Sequence, residues 1–134
     1  MHGRKHTIRL LALLGLLSAS AHAADVYVIC HADATIAAAD VRDVFTGEKQ
    51  FAGSVKLLPA DNSAVQGLFL AKVLKMDAAK YSNTWTKKSF RDGATPPPVK
   101  GSDAEVLEYV KRTAGACSYV GTAPPAGVLT VASF

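Results

Sequence analysis

Three consecutive residues, Asp61, Asn62 and Ser63, carry the most suggestive chemistry in this sequence. Each offers a side-chain oxygen to the orphan N–H groups of a first helical turn. They follow a β-rich run, Val55-Lys56-Leu57-Leu58-Pro59, and precede an apolar helical pattern that runs from Ala64 to Leu74. A strand feeding a helix N-terminus is where α/β proteins hold anions, because unpaired N–H groups and the helix dipole meet there. The candidate ligand-binding set is therefore Asp61, Asn62 and Ser63 with the backbone N–H groups of Ala64 and Val65. Asp61 opposes an anion unless its carboxylate faces away. The plainer alternative is that these residues only cap the helix, as most such turns do.

Other chemistries lack raw material. His2, His6 and His22 fall in the first 23 residues, which leaves His31 alone beyond them. A His-based metal site or catalytic pair is not expected. Cys30 and His31 are adjacent on a strand-like run, so their side chains point to opposite faces and do not form a nucleophile pair. No nucleophile elbow is present. Neither an enzyme, a cofactor nor a metal is expected.

The first 23 residues read as a targeting signal. Arg4, Lys5 and Arg9 lie in a basic n-region, Leu10 to Leu17 form an apolar h-region, and Ala21-His22-Ala23 has the form of a cleavage site. Residues 24–134 then make one small domain, expected to be periplasmic or secreted. No other apolar run nears the ~18 residues of a membrane span, so the mature chain is not expected to be membrane-embedded. The signal also takes three of the 15 basic residues and none of the 11 acidic ones, so the net charge falls from +4 to near neutrality. Nucleic acid is not an expected partner. The local cluster Lys87, Lys88 and Arg91 reads as a solvated helix face.

Strand and helix patterns alternate along the mature region. Asp25 to Cys30 is a β-rich run suited to a central strand. A helix is expected from Thr35 or Ala34 to about Phe45, ending at Thr46-Gly47. Val65, Leu68, Phe69, Val73 and Met76 form a core-facing stripe on the helix after Ser63. Asp77 caps a further helix over Ala78 to about Phe90, with Tyr81, Trp85 and Phe90 as bulky anchors. Arg91 to Pro98 is a loop stiffened by three prolines. Ser102-Asp103-Ala104-Glu105 is a capping box that opens a helix to about Thr113. Cys117 to Val120 and Val128 to Val131 read as the last strands. This order predicts an α/β fold whose sheet is covered by helices.

Two cysteines, Cys30 and Cys117, remain after the signal. In an exported chain they most simply form one disulfide; two free buried thiols are the alternative. Geometry adds a condition. If the two strands ran parallel as neighbours, the residues would sit roughly 13 Å apart at ~3.3 Å per residue. A bridge needs Cα atoms within about 7 Å. The bonded form therefore requires an antiparallel pair, and hence a mixed sheet.

Several stretches, taken in order, resemble a known family. They are Val44-Phe45-Thr46-Gly47, Val55 to Pro59, Trp85, Gly101 to Val106 and Gly115-Ala116-Cys117-Ser118-Tyr119-Val120. The order is similar to that of type 2 periplasmic binding proteins, nearest to short relatives of the phosphate-binding component of the phosphate ABC transporter. The resemblance implies a single lobe with a ligand cleft near Asp61 to Ala64. It implies an exported solute-binding protein for phosphate or another small oxyanion, with a membrane transporter as partner. In that family the position carries an Arg-Asp-Gly-Ser-Gly-Thr type loop. Here Ser63 matches the serine, Ala60 stands where the arginine would be, and Ala64 and Val65 replace the glycine and threonine. The alternative is a non-catalytic interaction module without tight ligand binding, which docks on a partner or self-associates.

Overall fold

The computed structural model describes residues 24–134. The targeting signal expected over residues 1–23 lies outside the described residues. The chain folds as a mixed α/β unit around a four-stranded sheet of spatial order Leu58–Pro59, Ala116–Val120, Tyr27–Cys30, Leu129–Ser133. Strand β1 is Tyr27–Cys30, β4 is Leu58–Pro59, β7 is Ala116–Val120 and β8 is Leu129–Ser133. β7 runs parallel to β4 and antiparallel to β1, and β1 runs antiparallel to β8. The sheet is therefore mixed.

Period-two alternation splits the residues of β1 and β7 between two faces. Val28, Cys30, Cys117 and Tyr119 join one core with Val44, Phe45, Phe69, Leu74 and Trp85. Ile29, Ala116 and Val120 join the other with Val106 and Val110 of helix α4, Asp103–Arg112. Full burial of each of these two valines contributes about 1.5–3 kcal/mol. Helices α1, Val41–Phe45, α2, Gln66–Phe69, and α3, Ala78–Asp92, cover the first face. On that face Phe69 stacks on Tyr119 with ring centroids 3.8 Å apart, and Phe45 meets Phe69 edge-on at 4.8 Å.

Cys30 and Cys117 are direct cross-strand partners in the antiparallel β1–β7 pair, and they are bonded, with Cα atoms 4.1 Å apart. The antiparallel condition read from the sequence holds.

Capping was also legible. Asp77 accepts from the Lys80 N–H at 2.7 Å and opens α3. Ser102 Oγ accepts from the Glu105 N–H at 3.2 Å, while the Glu105 carboxylate takes the N–H of Gly101 at 2.8 Å.

Other expectations are corrected. The helix expected from residue 34 or 35 is only a 3-10 turn, Ala38–Asp40, followed by α1. The run Val55 to Pro59 is two strands. β3, Val55–Lys56, forms a hairpin with β2, Phe51–Ala52, and only β4 joins the main sheet. After α2 the chain widens into a π-helical turn, Leu70–Leu74, which moves the buried stripe to Phe69, Leu70 and Leu74 and leaves Leu68 exposed.

Two α3 assignments also change. Phe90 is 90% exposed rather than an anchor, because it lies roughly 140° around the helix from Trp85 at 100° per residue. Lys88 is not on a solvated face. It is 5% exposed, and its ammonium pairs with Glu48 Oε1 at 3.0 Å.

Candidate functional site

The turn after β4 is built differently from a helix cap. Asp61 and Asn62 form a short strand, β5, parallel to β6, Val99–Lys100. The Asp61 N–H donates to the Pro98 carbonyl at 2.8 Å and the Ser63 N–H to the Lys100 carbonyl at 2.9 Å. The residue at the N-cap position of α2 is Val65, with no side-chain cap. None of Asp61, Asn62 and Ser63 fills that role, because pairing with β6 holds the first two in an extended backbone.

Asp61 faces inward. It is 3% exposed, and its carboxylate accepts hydrogen bonds from the Tyr81 hydroxyl at 2.9 and 3.0 Å and the Tyr119 hydroxyl at 3.0 Å. Among the described residues no cation pairs with it. Burial raises its pKa above the usual carboxylate range, and the two hydroxyl donors only partly offset that. Burial and the neighbouring carboxylate likewise push both tyrosine hydroxyls upward.

Asn62 is fully buried and serves the fold. Its Nδ2 donates to Asp103 Oδ1 at 2.8 Å and to the Tyr119 carbonyl at 3.0 Å, while its Oδ1 accepts the Ala64 N–H at 3.1 Å. Asp103 Oδ2 takes the Gly121 N–H at 3.1 Å and the Thr122 hydroxyl at 3.2 Å. The Asn62–Asp103 pair thus ties the turn to the start of α4 and to the end of β7. Asp103 also sits in the first turn of α4, where the helix dipole favours its charge.

The remaining turn residues are Ser63 and Ala64, both exposed, and Val65, which packs against Gly121. The Val65 N–H donates to the Asn62 carbonyl at 3.2 Å. The N–H groups of Ser63, Ala64 and Val65 are therefore all spent within the protein. The exposed side-chain donor of the turn is the Ser63 hydroxyl.

Sequence reasoning missed Tyr81, Tyr119 and Asp103. One signal was available: Tyr119 stands two residues from Cys117 and so shares its core face. The union of Asn62 with Asp103, 41 residues apart, left no local trace.

Cys30 is in the disulfide, and His31 Nδ1 lies 2.6 Å from Asp33 Oδ1. Asp33 also accepts the Gly115 N–H at 2.9 Å, and that bond, more than His31, holds its carboxyl below the usual range.

A pH test isolates Asp61. Its folded pKa is raised, so the folded state holds the proton more tightly than the unfolded state. Its contribution to stability is fully present below the unfolded pKa of about 3.9 and is lost as pH rises through the folded value. The loss is at most about 1.4 kcal/mol per pH unit. Asp61→Asn removes that slope. Urea titrations of both proteins across the acidic-to-neutral range give the comparison, and parallel pH profiles would refute the assignment.

The fold defines a class, a disulfide-bonded mixed α/β module with helices on both faces of its sheet. Among the described residues no helix is long and apolar enough to cross a membrane. Compared with protein-family models and with curated proteins, the chain matches none.

Proposed function

We propose that the protein is an exported, non-catalytic, single-lobe solute-binding module, similar to the phosphate-binding component of the phosphate ABC transporter. Phosphate or a related oxyanion is its ligand at Ser63. The observation that carries this reading is the placement of the exposed Ser63 just beyond the carboxyl end of β5, on a strand-to-helix turn fixed by Asn62 and Asp103. The buried disulfide supports an oxidising compartment, periplasmic or extracellular.

One observation favours a second reading, an interaction module without tight ligand binding. The Ala64 and Val65 N–H groups that would cradle an anion are committed to Asn62 Oδ1 and the Asn62 carbonyl, and the Ser63 N–H to the Lys100 carbonyl. Neutral hydroxyl contact alone gives weak anion affinity, without the bidentate charge-assisted bonds of an arginine.

Thermal unfolding of the oxidised protein separates the two. A ligand at a concentration equal to its dissociation constant stabilises by about 0.4 kcal/mol, roughly 2 °C for a domain of this size. Millimolar phosphate is expected to raise the midpoint by about that much, and Ser63→Ala to abolish the rise. No shift with phosphate or sulfate leaves the interaction module as the reading.

A further inference from the structure

A cleft of about 590 Å³ opens between the β2–β3 hairpin and the loop after α3. It shares no lining residue with the turn at residues 61–65. Its size falls within the ~300–1,000 Å³ of small-molecule sites.

The walls are chemically distinct. Lys49 and Lys56 line the hairpin side, and the Leu57 N–H on the Gln50 carbonyl at 2.9 Å fixes that side's geometry. The run Pro96 to Pro98 lines the other, a rigid apolar surface with little conformational entropy left to lose on binding. Trp85 and Lys88, both buried, line the cleft from α3 together with Asp92 at its end. The Trp85 indole is held by its N–H to the Phe45 carbonyl at 3.0 Å.

The lining carries a surplus of positive charge. Lys49, Lys56 and Lys88 stand against Asp92 alone. Lys88 is already engaged by Glu48, whereas Lys49 reaches Asp40 only at 3.9 Å. Lys56 has no carboxylate partner among the described residues. An inorganic anion would use these cations and leave the exposed proline surface wet. A neutral apolar molecule would leave the cations unused.

We propose that this cleft binds small organic carboxylates, with the apolar body against Trp85 and the prolines and the carboxylate against Lys56 and Lys49. The site is separate from Ser63 and does not depend on the oxyanion reading.

Trp85 is the chain's single tryptophan, so its fluorescence reports on the cleft. The oxidised protein is titrated near neutral pH at constant ionic strength with benzoate, with neutral benzamide and with inorganic phosphate. Benzoate is expected to change the emission saturably in the millimolar range, and benzamide to bind roughly tenfold more weakly. The double variant Lys49→Gln, Lys56→Gln is expected to lose roughly tenfold in benzoate affinity with an unchanged thermal midpoint.

No saturable benzoate response would overturn the proposal. So would unchanged affinity in the lysine variant, or phosphate competing as well as benzoate. A phosphate-induced thermal shift that Ser63→Ala abolishes and the lysine variant keeps belongs to the turn, so the two sites fail separately.

Discussion

Reduction of the Cys30–Cys117 bond is expected to lower the unfolding free energy by about 4–5 kcal/mol. The bond joins residues 87 positions apart. A link across so long a loop removes much of the unfolded chain's freedom, and the chain-entropy relation gives about that figure. Typical domains have only about 5–15 kcal/mol in total. The thermal midpoint should therefore fall by roughly 15–20 °C.

The folded state itself changes little. β1 and β7 pair at Cys30 and Cys117 through their backbones, and both cysteines are buried in the same core. Because both are fully buried, the reductant reaches the bond from the unfolded state. Unfolding in urea with reductant, followed by refolding, is the practical route. The urea slope should also rise, since the reduced chain expands further when unfolded. Oxidised and reduced midpoints within a few degrees of each other would show that the bond contributes little.

Gly115→Ala is the second large effect, an expected loss of about 2–5 kcal/mol. Gly115 has φ +78°, a conformation that costs an L residue about 1–2 kcal/mol. A Cβ there would also lie 1.9 Å from the Lys56 carbonyl oxygen. That atom is backbone, so relief requires moving the chain between β3 and β4. Overpacking of this kind adds about 1–3 kcal/mol.

The displacement would strain the Leu58 N–H bond to the Gly115 carbonyl, now 2.9 Å, and the adjoining β4–β7 pairing. Gly67→Ala is the matched control. Gly67 lies in α2 with nothing within 4 Å of its added Cβ, so alanine should stabilise by about 0.5–1 kcal/mol. Denaturant midpoints of the two variants moving in opposite directions would bear this out. A Gly115→Ala loss below about 1 kcal/mol would refute the close approach.

The same contrast between near and distant partners governs what the sequence reveals. Asp77 and Ser102 are recognisable as caps because their partners, Lys80 and Glu105, lie three residues on. The strand runs around Cys30 and Cys117 are recognisable because β-branched composition and alternation act within a few residues. The cysteine pair adds a distant constraint that can still be read, since two cysteines admit only one intrachain pairing.

The turn at residues 61–65 shows the opposite case. Asp61 and Asn62 carry the letters of a helix cap, yet the carbonyl of Pro98, presented just before β6, fixes the Asp61 N–H and leads both residues into an extended strand. Tyr81 and Tyr119 then draw the Asp61 carboxylate inward, 20 and 58 residues away in the chain. Lys88 reads as surface and is buried because Gly47 leaves room for its stem and Glu48 meets its charge.

Composition and local pattern by themselves determined the α/β class, the main helices and strands, and the need for β1 and β7 to run antiparallel if the cysteines are bonded. Tertiary structure alone decided which polar groups at the turn stay open to solvent, and it alone assembled the lysine-lined cleft. Backbone propensity depends on neighbours a few residues apart, whereas a polar group's partner is whichever donor or acceptor the packed chain brings alongside it.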